Sequence, residues 1–160
     1  DRTSRGLGDV YKRQVWSIPA KRMKMRREHL VPLSKQAVQI LQQVAEISGG
    51  ERLVFPSQNN PNKPMSENTL LFAIYRMGYH SRATTHGFRS VASTILNESE
   101  KWHPDAIERQ LAHVESNKVR AAYDRAEHLP ERRRMMQWWA EHIDSLKQPA
   151  DVIDLEQHRA

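Results

Sequence analysis

At 160 residues, with 28% charged and 38% hydrophobic side chains, the chain reads as one domain, or most of one, with enough apolar content for a real core. It contains no cysteine, which excludes disulfides and thiolate zinc sites and leaves the cytoplasm as the default compartment. No apolar run approaches the roughly 18 residues of a membrane span, and the opening residues lack a signal-peptide pattern. The net charge of +6 and pI near 9.8 favour a polyanionic partner. That charge is local, since residues 1–33 carry nine Lys/Arg against three acids and the rest of the chain balances. The field centres on Lys21, Arg22, Lys24, Arg26 and Arg27, a run that by itself is as readily a solvated face as a binding patch.

Residues 1–14 show neither a strand nor a helix period and read as an irregular head. Val15 to Pro19 predicts a short strand stopped by proline, and His29 to Leu33 a second, with the basic loop between them closing a hairpin. In that loop Lys24 stands between Met23 and Met25, an odd setting for a plain solvated loop and one suited to a segment that closes over something. Ser34 is placed to cap a helix with Ala37, Val38, Leu41, Val44 and Ala45 on one face, ended by Gly49-Gly50. Leu53 to Pro56 reads as a brief strand before a polar loop. Ser66 is expected to cap the next helix, with Met65 stapled to Leu70 and Leu70, Leu71, Ile74 and Met77 as its buried stripe. No chemistry is evident on these two helices.

Thr84 or Thr85 then caps a central helix on which Phe88, Val91, Ala92, Ile95 and Leu96 fall to one side. His86 and Arg89, one turn apart, fall on a neighbouring face free of that stripe. The first turn of such a helix favours an anion, and Gly87 removes a side chain beside it. Pro104 opens a further helix with Ile107 and Leu111 inward and His113 at its end. Asn117 can cap another leading to Tyr123, and Pro130 starts a last helix with Met135, Trp138, Trp139, Ile143 and Leu146 as an apolar stripe, either core or a docking face for a neighbouring subunit. Residues 148–160 are expected to form a mobile tail.

Each candidate has an ordinary structural reading: a surface histidine and arginine, a histidine at a helix end, a semi-buried tyrosine. Together, His86-x-x-Arg89, His113 and Tyr123 supply two imidazoles, a guanidinium and a phenol in order. That set suits attack of tyrosine on a phosphodiester. A phenol with pKa about 10 is a poor nucleophile at neutral pH, so it needs cations to hold the charge and a base to take its proton. No metal or other cofactor is called for, because the histidines lack His-Glu-x-x-His spacing and there is no carboxylate cluster.

Lysine on a hairpin, His-x-x-Arg, Leu-Ala-His and then Tyr resembles the catalytic domain of tyrosine recombinases, above all the integrases of temperate phages and genomic islands. The phrases Trp16-Ser17-Ile18-Pro19, His29-Leu30-Val31-Pro32-Leu33-Ser34, Ile107 to His113, Ala121-Ala122-Tyr123 and Arg134 to Trp139 are also similar to that group. The resemblance covers about residues 15–147 and implies a mainly α fold with a small antiparallel β-sheet at one edge. It implies Tyr123 as nucleophile, Arg89 on the non-bridging oxygens, Lys24 as the acid for the departing 5′-oxygen, His113 as a phosphate donor and His86 as an aid to proton transfer. Lys21 rivals Lys24, though the Arg-Met-Lys context favours Lys24. Lys21, Arg22, Arg26 and Arg27 would then face double-stranded DNA, on which copies of the chain assemble; no membrane is involved.

The family's first catalytic arginine lies in a helical segment before the hairpin. Arg2, Arg5 and Arg13 stand in the wrong context for it, so the chain is expected to be a piece of an integrase with impaired activity. Two other classes stay open: a basic DNA-binding module without chemistry, and a histidine-rich metal hydrolase with poor ligand spacing.

Overall fold

The computed structural model describes residues 15–24, 26–49, 52–112 and 128–147. The predicted head at 1–14, the helix leading to Tyr123 and the tail at 148–160 lie outside them. The described residues form a two-stranded antiparallel sheet and five α-helices, the mainly α architecture expected. β1 (Val15–Ile18) pairs with β2 (His29–Pro32) in the register Val15↔Pro32, Trp16↔Val31, Ser17↔Leu30 and Ile18↔His29. α1 spans Lys35–Ser48, α2 Thr69–Ile74, α3 Thr85–Glu98, α4 Pro104–Gln110 and α5 Leu129–Leu146. A π-turn, Tyr75–Tyr79, continues α2. None of the described helices is long and apolar enough to cross a membrane.

α1 begins as its cap residue dictates: Ser34 is extended, and its hydroxyl accepts from Ala37 N–H at 3.1 Å. Another amide of that first turn, Lys35 N–H, is satisfied from α5, by Gln137 Oε1 at 3.0 Å. Gln137 Nε2 also donates to Gln36 Oε1 at 3.1 Å, and Gln36 Nε2 donates to Asp144 Oδ2 at 2.8 Å. A polar clasp thus fixes α1 along α5, where α1 itself has no fully buried side chain. The Lys147 ammonium and the Gln36 amide hold the Asp144 carboxyl below its ordinary pKa. Gly49, at φ 80, ends α1 in the left-handed turn that glycine adopts without strain.

The core lies between α3, α4 and α5. Leu96, Ile107, Leu111 and Met135 are buried together, and Trp102, Met136, Trp138 and Trp139 pack on them. Each of the four buried side chains contributes roughly 1.5–3 kcal/mol relative to exposure. His103 caps α4, its Nδ1 accepting from Asp105 N–H at 3.2 Å, while its own N–H donates to Glu131 Oε1 at 2.8 Å in the first turn of α5.

Four expectations change. Leu53 to Pro56 is not a strand: Pro56 makes a lone antiparallel bridge to Pro64, flanked by Ser57 N–H to Lys63 O at 2.8 Å and Met65 N–H to Phe55 O at 3.0 Å. Proline at both bridge positions lacks the amide that would extend a ladder. Ser66 caps a turn rather than the helix, accepting from Asn68 N–H at 3.4 Å, and α2 starts at Thr69. Of the stripe expected on α2 and its extension, Ile74 is buried and Leu71 half-buried, whereas Leu70 and Met77 are exposed. On α3, Phe88 and Val91 are 61% and 52% exposed, and the covered line is Arg89, Ala92, Ser93 and Leu96. Periodicity defined an apolar flank, but α4 and α5 pack beside it.

Candidate active site

The first turn of α3 is built by Thr84, which is extended and whose hydroxyl accepts from Gly87 N–H at 3.0 Å. A Cβ at Gly87 would stand 3.3 Å from that Oγ1. The missing side chain therefore has a local reason, room for the cap, beside any effect on an approaching anion. His86 is exposed in this turn, where backbone N–H groups carry the positive end of the helix dipole.

Arg89, one turn further on, departs from the free face expected for it. It is half-buried on the covered line of α3, and Nη2 donates to the carbonyl oxygen of Leu111. Leu111 is the buried C-cap of α4, so the guanidinium sits on the negative end of that short helix. Five N–H donors in a planar fork leave others for an anion. Ala112 follows at φ 51, its N–H donating to Arg109 O at 3.2 Å. This left-handed step closes α4 at the residue preceding His113 in sequence. His113 and Tyr123 lie outside the described residues.

Lys24 lies on the hairpin loop, exposed. The loop is turned by backbone bonds: Arg22 N–H to Pro19 O at 2.9 Å, Met23 N–H to Ala20 O at 3.1 Å and Arg26 N–H to Met23 O at 3.0 Å. Arg26 takes a left-handed conformation at φ 54, and Ser17 Oγ donates to the Glu28 carboxylate at the loop's base. Lys21, Arg22, Arg26 and Arg27 all project from it into solvent. The expected hairpin is present, with its basic side chains on its solvent side.

A residue that sequence reasoning passed over joins these parts. Arg132, in α5, is fully buried; its Nε donates to Gln110 Oε1 at 2.9 Å and its Nη2 to the carbonyl of Leu30. One guanidinium thus connects the strand leading out of the Lys24 loop to the end of α4, where the next residue, Leu111, receives Arg89. A signal existed. Arg132 precedes Met135 by three residues and Trp139 by seven, which puts it in line with the apolar stripe.

The phage integrase family matches residues 7–128, and the chain belongs to that family. It is 48% identical over 149 residues to an integrase of Enterobacteria phage P4, covering 84% of this chain and 34% of that protein. It is 52% identical over 138 residues to the prophage integrase IntA of Escherichia coli strain K12, covering 86% and 33%. An integrase of Shigella phage Sf6 is 42% identical over 135 residues, covering 84% and 35%. The chain thus spans about a third of the length of the curated relatives it matches. No solved structure gives a significant match.

Proposed function

We propose that the chain carries the strand-cleaving and rejoining chemistry of site-specific DNA recombination, as used in integration and excision of a phage or genomic island. Tyr123 Oη attacks the scissile phosphorus, forming a 3′-phosphotyrosyl bond as the P–O5′ bond breaks. The phenolic proton leaves with the help of His86, and Lys24 gives a proton to the departing 5′-oxygen, so a free 5′-hydroxyl results. Arg89 and His113 hold the non-bridging oxygens as charge builds on them. Reversal by an incoming 5′-hydroxyl reseals the strand without a nucleotide cofactor, because the covalent link conserves the phosphodiester. Double-stranded DNA is the partner, contacted by Lys21, Arg22, Arg26 and Arg27, with copies of the chain assembling on it.

The observation that carries this reading is the tie of Arg89 to the Leu111 carbonyl, within a chain of the phage integrase family. It holds the guanidinium against the turn two residues before His113, as a shared phosphate site requires. The test is covalent trapping on a nicked suicide duplex, with Tyr123→Phe and Arg89→Ala beside the parent chain, each also joined to an integrase segment bearing the first catalytic arginine. A denaturant-resistant adduct that Tyr123→Phe abolishes is expected. Salt-sensitive DNA binding with no adduct in either form would instead favour a binding module without chemistry.

A further inference from the structure

Residues 68–97 contain no aspartate or glutamate, although Glu67 and Glu98 bound the span. Arg76, Arg82 and Arg89 stand within it, together with His80 and His86 and the aromatic residues Phe72, Tyr75, Tyr79 and Phe88. Only its α3 part enters the site described above. The other part, α2 with its π-turn and the turn that follows, projects Arg76, Tyr79, His80 and Arg82 into solvent.

The backbone holds this part in a defined shape. Gly78 at φ 88 breaks the helix, Ser81 at φ 60 reverses the chain, and Arg82 N–H and Ala83 N–H both donate to Tyr79 O, at 3.0 and 3.1 Å. Thr84, the cap of α3, follows at once. The Arg82 guanidinium carbon lies 5.8 Å from the centroid of the Tyr79 ring, and the Tyr75 and His80 rings are 4.3 Å apart. A cation resting on a ring that is itself 48% exposed keeps its N–H fork at the surface.

A solvated face normally intersperses both signs, and carboxylates among the cations would repel a polyanion. The span 68–97 contributes none, and arginine is the side chain whose geometry matches phosphate. We propose that Arg76 and Arg82, with Tyr79 between them, form a second contact with the phosphate backbone of duplex DNA. It continues from the N-terminus of α3 along the α2 side and is separate from the hairpin cations at 21–27. The inference rests on the DNA-recombination reading and adds the surface that holds the duplex on this side of the site.

Fluorescence anisotropy of a labelled duplex, titrated at several salt concentrations, tests it. The chains compared are the parent, Arg76→Gln/Arg82→Gln and Arg26→Gln/Arg27→Gln. Each phosphate that is no longer neutralised makes the slope of log K against log salt shallower by roughly 0.9, so the slope of the Arg76/Arg82 pair should become shallower by about 1.8. Arg82→Glu should weaken binding more than Arg82→Gln, with the parent's melting temperature kept because the side chain is exposed. An unchanged slope in the Arg76/Arg82 pair, beside a shallower one in the Arg26/Arg27 pair, overturns this surface and leaves the DNA reading intact. Absence of duplex binding by the parent overturns both.

Discussion

Replacing Arg132 by leucine should be among the most damaging single changes available to this domain. The side chain is fully buried, and its removal takes the donor from two half-buried acceptors, Gln110 Oε1, now 2.9 Å from Nε, and the Leu30 carbonyl. An acceptor left without its donor costs roughly 1–3 kcal/mol, so two cost roughly 2–6 kcal/mol. Leucine returns part of the apolar packing at about 0.8 kcal/mol per methylene. A net loss of about 3 kcal/mol follows, a large share of the roughly 5–15 kcal/mol that holds a domain folded. At about 2–4 °C per kcal/mol for a chain of this size, the midpoint should fall by about 6–12 °C. Urea unfolding for the free energy and thermal unfolding for the midpoint, each followed by tryptophan fluorescence and far-UV circular dichroism, measure it, since Trp102, Trp138 and Trp139 lie against the core. Arg132→Lys should recover only part, because one ammonium cannot span both acceptors. A loss under about 1 kcal/mol for Arg132→Leu would show that the guanidinium does not tie β2 to α4 and would refute the reasoning.

Two further outcomes are expected. Ala112 sits at φ 51, a region costing an L-residue about 1–2 kcal/mol, so Ala112→Gly should stabilise by about 0.5 kcal/mol after its extra unfolded-state entropy, while Ala112→Val should destabilise; chemical denaturation of the three chains decides, and a valine variant as stable as the parent would contradict the left-handed turn. Asp144 has its pKa lowered from the ordinary 3.8, first by the Lys147 hydrogen bond and then by Gln36. A depressed folded pKa stabilises above the unfolded value and loses that contribution as pH falls through the folded one, so the stability gap between the parent and Asp144→Asn should be present at neutral pH and close below about pH 4; a gap that does not change with pH would show that the carboxylate's charge is not what Gln36 and Lys147 hold.

The hairpin, the Ser34 and Thr84 caps, Gly49 as a helix end and the proline-led starts of α4 and α5 are all legible in the sequence. Each depends on a residue acting on its own few neighbours. Leu53 to Pro56 looks like a strand only while its apolar run is weighed without a partner, and that partner segment is bounded by proline at the pairing position. The covered side of α3 is misjudged from spacing because Phe88 and Val91 are apolar and at helical intervals, yet no element covers them among the described residues. Arg132 escapes a sequence reading because a charge within Arg132-Arg133-Arg134 looks solvated, and only its spacing from Met135 and Trp139 tells the first of the three from the exposed other two.

The order of motifs, the elements bearing them and the confinement of net positive charge to the first 33 residues belong to the sequence alone, because spacing, capping and charge act along the chain or at short range. The tertiary structure decided which carbonyl receives Arg89, which helix supplies an acceptor for the first turn of α1 and which arginine lies in the core. Those pairings join residues as far apart as Leu30 and Arg132, and Lys35 and Gln137. A buried donor must find an acceptor wherever packing leaves one, and that choice is made only when the helices have come together.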